Sequence, residues 1–303
     1  MNIINQLEST NYYQYCFSYL LGFFIFYLLD KFILSKKDEE EEEREKIKNR
    51  YKKEIEEMPS INKFYMVIGV GGVGSKVVLD LIRAGVQKIK VLDFDLVTLS
   101  SLNRHAFANR NDVGKFKSGL IKEYCKKARP DIIIIPINER LLSNNLEKFL
   151  LKEKPDVIVD CIDDLNTKAE LYKFCYLNKL KLFSSMGAGC KCDPTTIRFS
   201  KFNEISGEIL SKRLRYLVRK KLKEMKDDKI NPEILPDFKC VYSFEKNERE
   251  LAELDEDKKQ NLQTLKNKFN DRVRSLPVFA CMPSSFGHCL SCLSINQLDI
   301  QIN

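Results

Sequence analysis

The chain has 303 residues, 44% of them apolar, and a formal net charge of +8, enough material for one large domain or two small ones. Its ten cysteines follow no regular spacing, and it has only two histidines, His105 and His288. This argues against a disulfide framework and nearly excludes histidine-centred triads and metal sites, while the positive balance suggests an anionic partner without naming it.

Residues Ser9 to Leu29 carry no charge, and Tyr15 to Leu29 is almost wholly apolar or aromatic. That length predicts a membrane-spanning helix, with tyrosine and phenylalanine suited to the interface. No basic leader or small-residue cleavage site marks it as a removed signal. Lys31, Lys36 and Lys37 follow, which places this end of the span in the cytosol. The run "DEEEEEREKIKNRYKKEIEE" sets opposite charges at helical spacing and reads as an exposed helical spacer, ended by Pro59. The expected bounds are 1–35 for the membrane segment and 36–60 for the spacer.

From Phe64 strand and helix patterns alternate. "FYMVIGV" reads as strand, Ser75 to Arg83 as helix, "KIKVLDF" as strand, "DVGKFKSGLIKEYCKKA" as helix and "DIIIIPIN" as strand. "NNLEKFLLKE" (helix), "DVIVDCI" (strand), "NTKAELYKFCYLNK" (helix) and "LKLFSSMG" (strand) continue the series. Such alternation predicts an α/β domain with a doubly wound, mostly parallel sheet, which binds ligands beyond the carboxyl ends of its strands. Its core is expected over 61–200. Residues 201–303 read as the rest of the same domain. They hold a basic amphipathic helix within "SGEILSKRLRYLVRKKLKEMKDDK" and a polar insertion between Phe244 and Arg274. The last apolar piece, Leu276 to Leu293, is broken by Pro283 and Gly287 and reads as a packed closing element.

Gly69, Gly71 and Gly74 form a G-x-G-x-x-G turn between a strand and a helix. Glycine lets backbone amides approach an anion at the positive helix end. Asp93, ending the second strand, suits a ribose hydroxyl. These features fit NAD as well as ATP. Arg104 and Lys117 add charge for a polyphosphate that sheds pyrophosphate, and Asp163, assigned to the end of the fourth strand, suits Mg²⁺.

Together, Gly69, Gly71, Gly72, Val73, Gly74 and Ser75, then Asp93 and Asp95, Asn103 and Arg104, Gly114 and Lys117, and Asp163 resemble the ThiF/MoeB/ubiquitin-activating superfamily. The stretches "LSSLNRHAFANRNDVG", "SSMGAGCKCDPTTI" and "RVRSLPVFACMPSSFG" look most like the tRNA threonylcarbamoyladenosine dehydratases, over roughly 64–290. The resemblance implies a Rossmann-like, ThiF-type fold, ATP and Mg²⁺ as cofactors, and a homodimer. It implies adenylation of the threonyl carboxylate of N6-threonylcarbamoyladenosine beside the anticodon, then ring closure by the side chain's own carbamoyl group. Arg104, Lys117 and Asp163 would be the catalytic set, with the amides of Gly71–Gly74 on the phosphates, Asp93 on the ribose and Asp95 behind it or in its place. Ser185 to Ala188 would line the nucleoside cleft, and Lys212 to Lys223 would meet the tRNA backbone. The membrane segment resembles the fungal-type members, which implies the mitochondrial outer membrane with the catalytic domain facing the cytosol.

The alternatives are an adenylating activator of a ubiquitin-like or sulfur-carrier protein and an NAD-dependent oxidoreductase. Cys240 is the candidate nucleophile if a thioester forms. Cys190-x-Cys192 and Cys289-x-x-Cys292 are the candidates for a four-thiolate zinc site, against which stands the first pair, one residue apart where the paired motifs have two.

Overall fold

In strand β1 (Phe64–Ile68), Tyr65 and Val67 enter one core while Met66 and Ile68 enter another. Period-two alternation in a strand buried on both faces puts a helical layer on each side of the sheet. The computed structural model that shows this describes residues 31–46 other than 33 and 44, and residues 62–226, 231–246 and 278–296. Its strands continue with β2 (Lys88–Leu92), β3 (Ile133–Ile137), β4 (Val157–Asp160), β5 (Leu182–Ser185), β6 (Ile197–Lys201) and β7 (Lys239–Ser243). The order across the sheet is β3-β2-β1-β4-β5-β7-β6. All neighbours are parallel except β6 and β7.

Helices α1 (Gly72–Arg83), α2 (Lys117–Ala128) and α6 (Cys281–Asn296) cover one face. Helices α3 (Leu146–Leu150), α4 (Leu165–Leu177) and α5 (Ile209–Lys223) cover the other. The doubly wound, mostly parallel sheet is as the alternation predicts. The antiparallel pair β6–β7 is not foreseen: β6 is a short edge strand that buries only Ser200, and its Ile197 and Phe199 are too few to mark a strand. The last apolar piece is a packed helix, α6, with Met282, Phe286, Leu290 and Leu293 in the core. Gly287 permits this, since a Cβ there would lie 2.7 Å from the Lys76 Cβ on α1.

Two expected bounds move. The first helix starts at Gly72 rather than Ser75, so the glycine amides are its first turn. The second starts at Lys117, because residues 110–112 form a separate turn in which the Asp112 carboxylate accepts the Asn109 amide at 3.0 Å.

The chain separates into two compact units, Met1–Glu57 and Met58–Asn303. In the first, residues 34–43 are helical and exposed, and Lys46 pairs with Glu42 at 2.6 Å, four residues apart. The membrane span expected over Ser9–Leu29 lies outside the described residues. Among the described residues no helix is long and apolar enough to cross a membrane.

Candidate active site

The sheet order reverses between β1 and β4, and the glycine turn leaves β1 at that point. This is where doubly wound sheets open a crevice. Gly69 has φ +80°, and a Cβ there would sit 2.9 Å from the Cys161 carbonyl oxygen. A Cβ at Gly74 would overlap the Gly69 carbonyl, so glycine lets α1 pack directly on its own turn. Gly71 is different: a Cβ there would meet nothing within 4 Å. No side chain caps the first turn of α1, and that turn has no acidic residue. Its amides therefore face an open cradle with the positive helix end behind them. This cradle fits a phosphate group. Ser75 is turned inward, and its hydroxyl accepts the Ala106 amide at 3.0 Å.

Asp93 follows β2 and is 7% exposed. One carboxylate oxygen accepts the Val70 amide at 2.7 Å and the other the Asp95 amide at 2.8 Å. Burial raises its pKa above the ordinary carboxylate value, with Lys117 acting in the opposite direction. Asp93 thus ties the glycine turn to β2, and a ribose hydroxyl would have to share its remaining lone pairs. Asp95 is the open carboxylate, with a side chain 48% exposed and 2.7 Å from Lys117 Nζ. The Lys117 amide also donates to the Asp95 carbonyl at 3.0 Å, and Leu96 bridges to Phe116. These contacts bring Lys117, first residue of α2, back to the end of β2.

Arg104 closes the near side. Its Cγ and Cδ lie 3.1 Å from where a Cβ on Gly72 would be. Its guanidinium donates to the Ser100 carbonyl at 2.7 Å and to Asn103 Oδ1 at 2.9 Å. Asn103 donates to the Val278 carbonyl at 3.5 Å.

Asp163 does not end β4. That strand stops at Asp160, whose carboxylate accepts the Ile162 amide at 3.0 Å and turns the chain out of the sheet. Asp163 lies three residues on, exposed, in the loop that abuts Gly69 through Cys161. Asp164 caps α4 by accepting the Thr167 amide at 3.2 Å. The structure thus joins the glycine turn, Arg104, Asp93, Asp95 and Lys117 by direct contacts and sets Asp163 on the adjoining loop. Mg²⁺ bound to a polyphosphate needs only one or two carboxylates, so Asp163 fits that duty. Among the described residues no group of three or more His, Cys, Asp or Glu side chains could hold a metal ion.

His105 was not foreseen as part of this region. It is buried, and burial first, then Lys117 and Arg104, push its pKa down to about 4. Its position directly after Arg104 was the available signal. Cys240 is 0% exposed, and burial pushes its thiol up to about 12. It is unsuited to nucleophilic attack.

A sequence model of the ThiF family matches residues 58–256. The chain belongs to the ThiF family. Among ThiF-family relatives, tRNA threonylcarbamoyladenosine dehydratase 2 of Saccharomyces cerevisiae is 40% identical over 235 residues, 75% of this chain and 49% of that protein. The tRNA threonylcarbamoyladenosine dehydratase of Haemophilus influenzae is 32% identical, over 51% of this chain and 59% of that protein. The chain spans about half the length of these relatives. The crystal structure of the E. coli tRNA N6-threonylcarbamoyladenosine dehydratase in complex with ATP superposes with a TM-score of 0.63 at 22% identity. It covers 78% of this chain and 86% of that one, and the likeness shows that the two share a fold.

Proposed function

We propose that this chain uses ATP to dehydrate N6-threonylcarbamoyladenosine next to the anticodon of tRNA. The observation that carries the reading is the cationic pair around one open helix end: Arg104 against Gly72, and Lys117 held by Asp95. Hydride transfer has no use for that pair, whereas departure of pyrophosphate does. The names of the relatives at 40% and 32% identity support the substrate.

In this reading the amides of Gly71–Gly74 hold phosphate, and Asp93 with Asp95 reaches the ribose. The threonyl carboxylate attacks the α-phosphorus and pyrophosphate leaves, its charge met by Arg104 and Lys117. The carbamoyl group of the same side chain then attacks the acyl carbon and AMP departs, for a net loss of one water. The tethered nucleophile makes the second step effectively unimolecular. Asp163 would hold Mg²⁺, which neutralises phosphate charge when bound. The proposal extends to a homodimer and to an N-terminal span over Ser9–Leu29 that anchors the enzyme in the mitochondrial outer membrane, catalytic domain in the cytosol.

The modifier-activating alternative shares the adenylation site. A thioester step through Cys240 is disfavoured by that thiol's burial. The test incubates the chain with ATP, Mg²⁺ and tRNA carrying threonylcarbamoyladenosine, then weighs the digested nucleoside. An ATP-dependent loss of one water that vanishes in Arg104→Ala is the expected result. ATP binding with an unchanged nucleoside mass would favour the activator.

A further inference from the structure

Helix α5 presents two faces of different chemistry. Leu214, Val218 and Leu222 are buried in the core, with Ser211 beside them. Ile209, Arg213, Tyr216 and Lys220 recur at the i, i+4, i+7, i+11 spacing of the opposite face, and all four are exposed. Ile209 is 60% exposed and Tyr216 67%. The basic residues of this helix are not equivalent. Lys221 is held by Glu170 at 2.7 Å, Lys223 by Glu233 at 2.9 Å, and Arg219 lies 3.4 Å from Glu233. Arg215 donates to the carbonyls of Phe202 and Ile205. Lys220 has one loose contact, 3.9 Å from Glu224. Lys212 and Arg213 have no ion pair among the described residues.

The helix starts at the candidate cleft. A Cβ on Gly187, just past the end of β5, would lie 3.6 Å from Leu210 Cδ1 and 3.7 Å from Glu208 Oε1. The exposed face therefore begins beside the end of β5, and Ile209 to Lys220 spans about 16 Å.

We infer that this face, Ile209–Arg213–Tyr216–Lys220 with Lys212 beside it, is a docking track for the RNA that enters the cleft. The inference rests on the proposed tRNA substrate. Cations with no ion pair, or with only the loose one of Lys220, meet phosphates, and an exposed aromatic ring between them offers a surface on which an unpaired base stacks. An anionic bilayer fits less well, because surface-lying helices need an apolar face to insert and this helix has buried its own.

The test measures binding of a fluorescent RNA hairpin, an anticodon stem-loop with adenosine 3′ to the anticodon, to the full chain in neutral detergent at several salt concentrations. Arg213→Gln is expected to lower the salt slope by about one. Tyr216→Ala is expected to weaken binding roughly tenfold, with Tyr216→Phe close to the parent. Lys126→Gln, an equal charge loss on α2, should leave the hairpin affinity unchanged, and all variants should bind ATP normally. The track is overturned if Lys126→Gln weakens binding as much as Arg213→Gln. It is also overturned if the variants lose affinity for phosphatidylserine-containing vesicles but not for the hairpin. A parent chain that binds ATP but not the hairpin overturns the dehydratase reading along with the track. Dehydration of a modified hairpin by Arg213→Gln and Tyr216→Ala at full affinity overturns the track alone.

Discussion

Lys168 Nζ lies 2.6 Å from Asp160 Oδ2, and both side chains are fully buried. The pair grips one residue through both of its backbone groups: Asp160 accepts the Ile162 amide and Lys168 donates to the Ile162 carbonyl at 3.1 Å. Ser184 completes it by donating to Asp160 at 2.7 Å. Ile162 directly precedes Asp163, so a buried ion pair fixes the loop that carries the candidate Mg²⁺ ligand. Lys168→Met would leave Asp160 buried without its counter-charge, a change that costs about 3–5 kcal/mol. Denaturant unfolding should show that loss, and Asp160→Asn combined with Lys168→Met should lose less than the sum of the singles. Additive losses would mean the two groups do not act as a unit.

The contact between Lys117 and Asp95 has a different balance. Its lysine side chain is only 10% exposed but its carboxylate is half exposed, so water can replace the lysine on Asp95, at a cost of about 1 kcal/mol. Lys117→Gln should therefore leave the unfolding midpoint nearly unchanged while slowing the ATP-dependent step by about 10²–10³-fold. Adenylation followed by pyrophosphate release checks this. Equal losses of stability and rate would reassign Lys117 to a structural role.

Two glycines of one turn should respond differently. Gly71→Ala meets no neighbour in the protein, so the fold should hold while the added methyl enters the phosphate cradle. Gly74→Ala drives a methyl into the Gly69 carbonyl and must move α1 or the turn. ATP titration paired with thermal unfolding separates them: Gly71→Ala weakens binding at constant Tm, and Gly74→Ala lowers both. A Gly71→Ala protein with normal ATP affinity would place the phosphates elsewhere.

The parallel half of the sheet was readable because each strand is an apolar run punctuated by a helix, and the cradle because G-x-G-x-x-G follows β1 directly. What escaped has a shared physical cause, which is that its meaning is set by distant partners. β6 has two exposed residues and becomes a strand only by pairing with β7. Asp160 reads as an ordinary strand residue until Lys168, eight residues on, folds back against it. Asp163 looked like a strand end because nothing in "VDCIDD" reveals that the Asp160 carboxylate turns the chain early. In α5, the sequence shows the basic residues but not which of them Glu170 and Glu233 hold.

His105 supplies the pH dependence. Its Nδ1 accepts the amides of Phe107 and Ala108 at 3.3 and 3.2 Å, so the neutral ring carries its proton on Nε2. Nε2 is buried without a hydrogen bond of good geometry, the Val70 backbone being a polar neighbour. Burial first, then Lys117, bring the pKa from 6.5 down to about 4. Between those values the unfolded chain binds more protons than the folded one, so stability rises with pH. The contribution is complete above pH 6.5 and is lost as the pH falls towards 4, amounting to about 3 kcal/mol. Asp93 acts in the opposite sense, since its raised carboxyl binds more protons when folded, but it does so whether or not His105 is present. Comparing His105→Gln with the parent therefore isolates the imidazole. Unfolding free energies from urea titrations between pH 7 and pH 4 should fall further in the parent by roughly that amount. Parallel profiles in the two proteins would show that the ring protonates freely in the folded state and that its burial costs nothing.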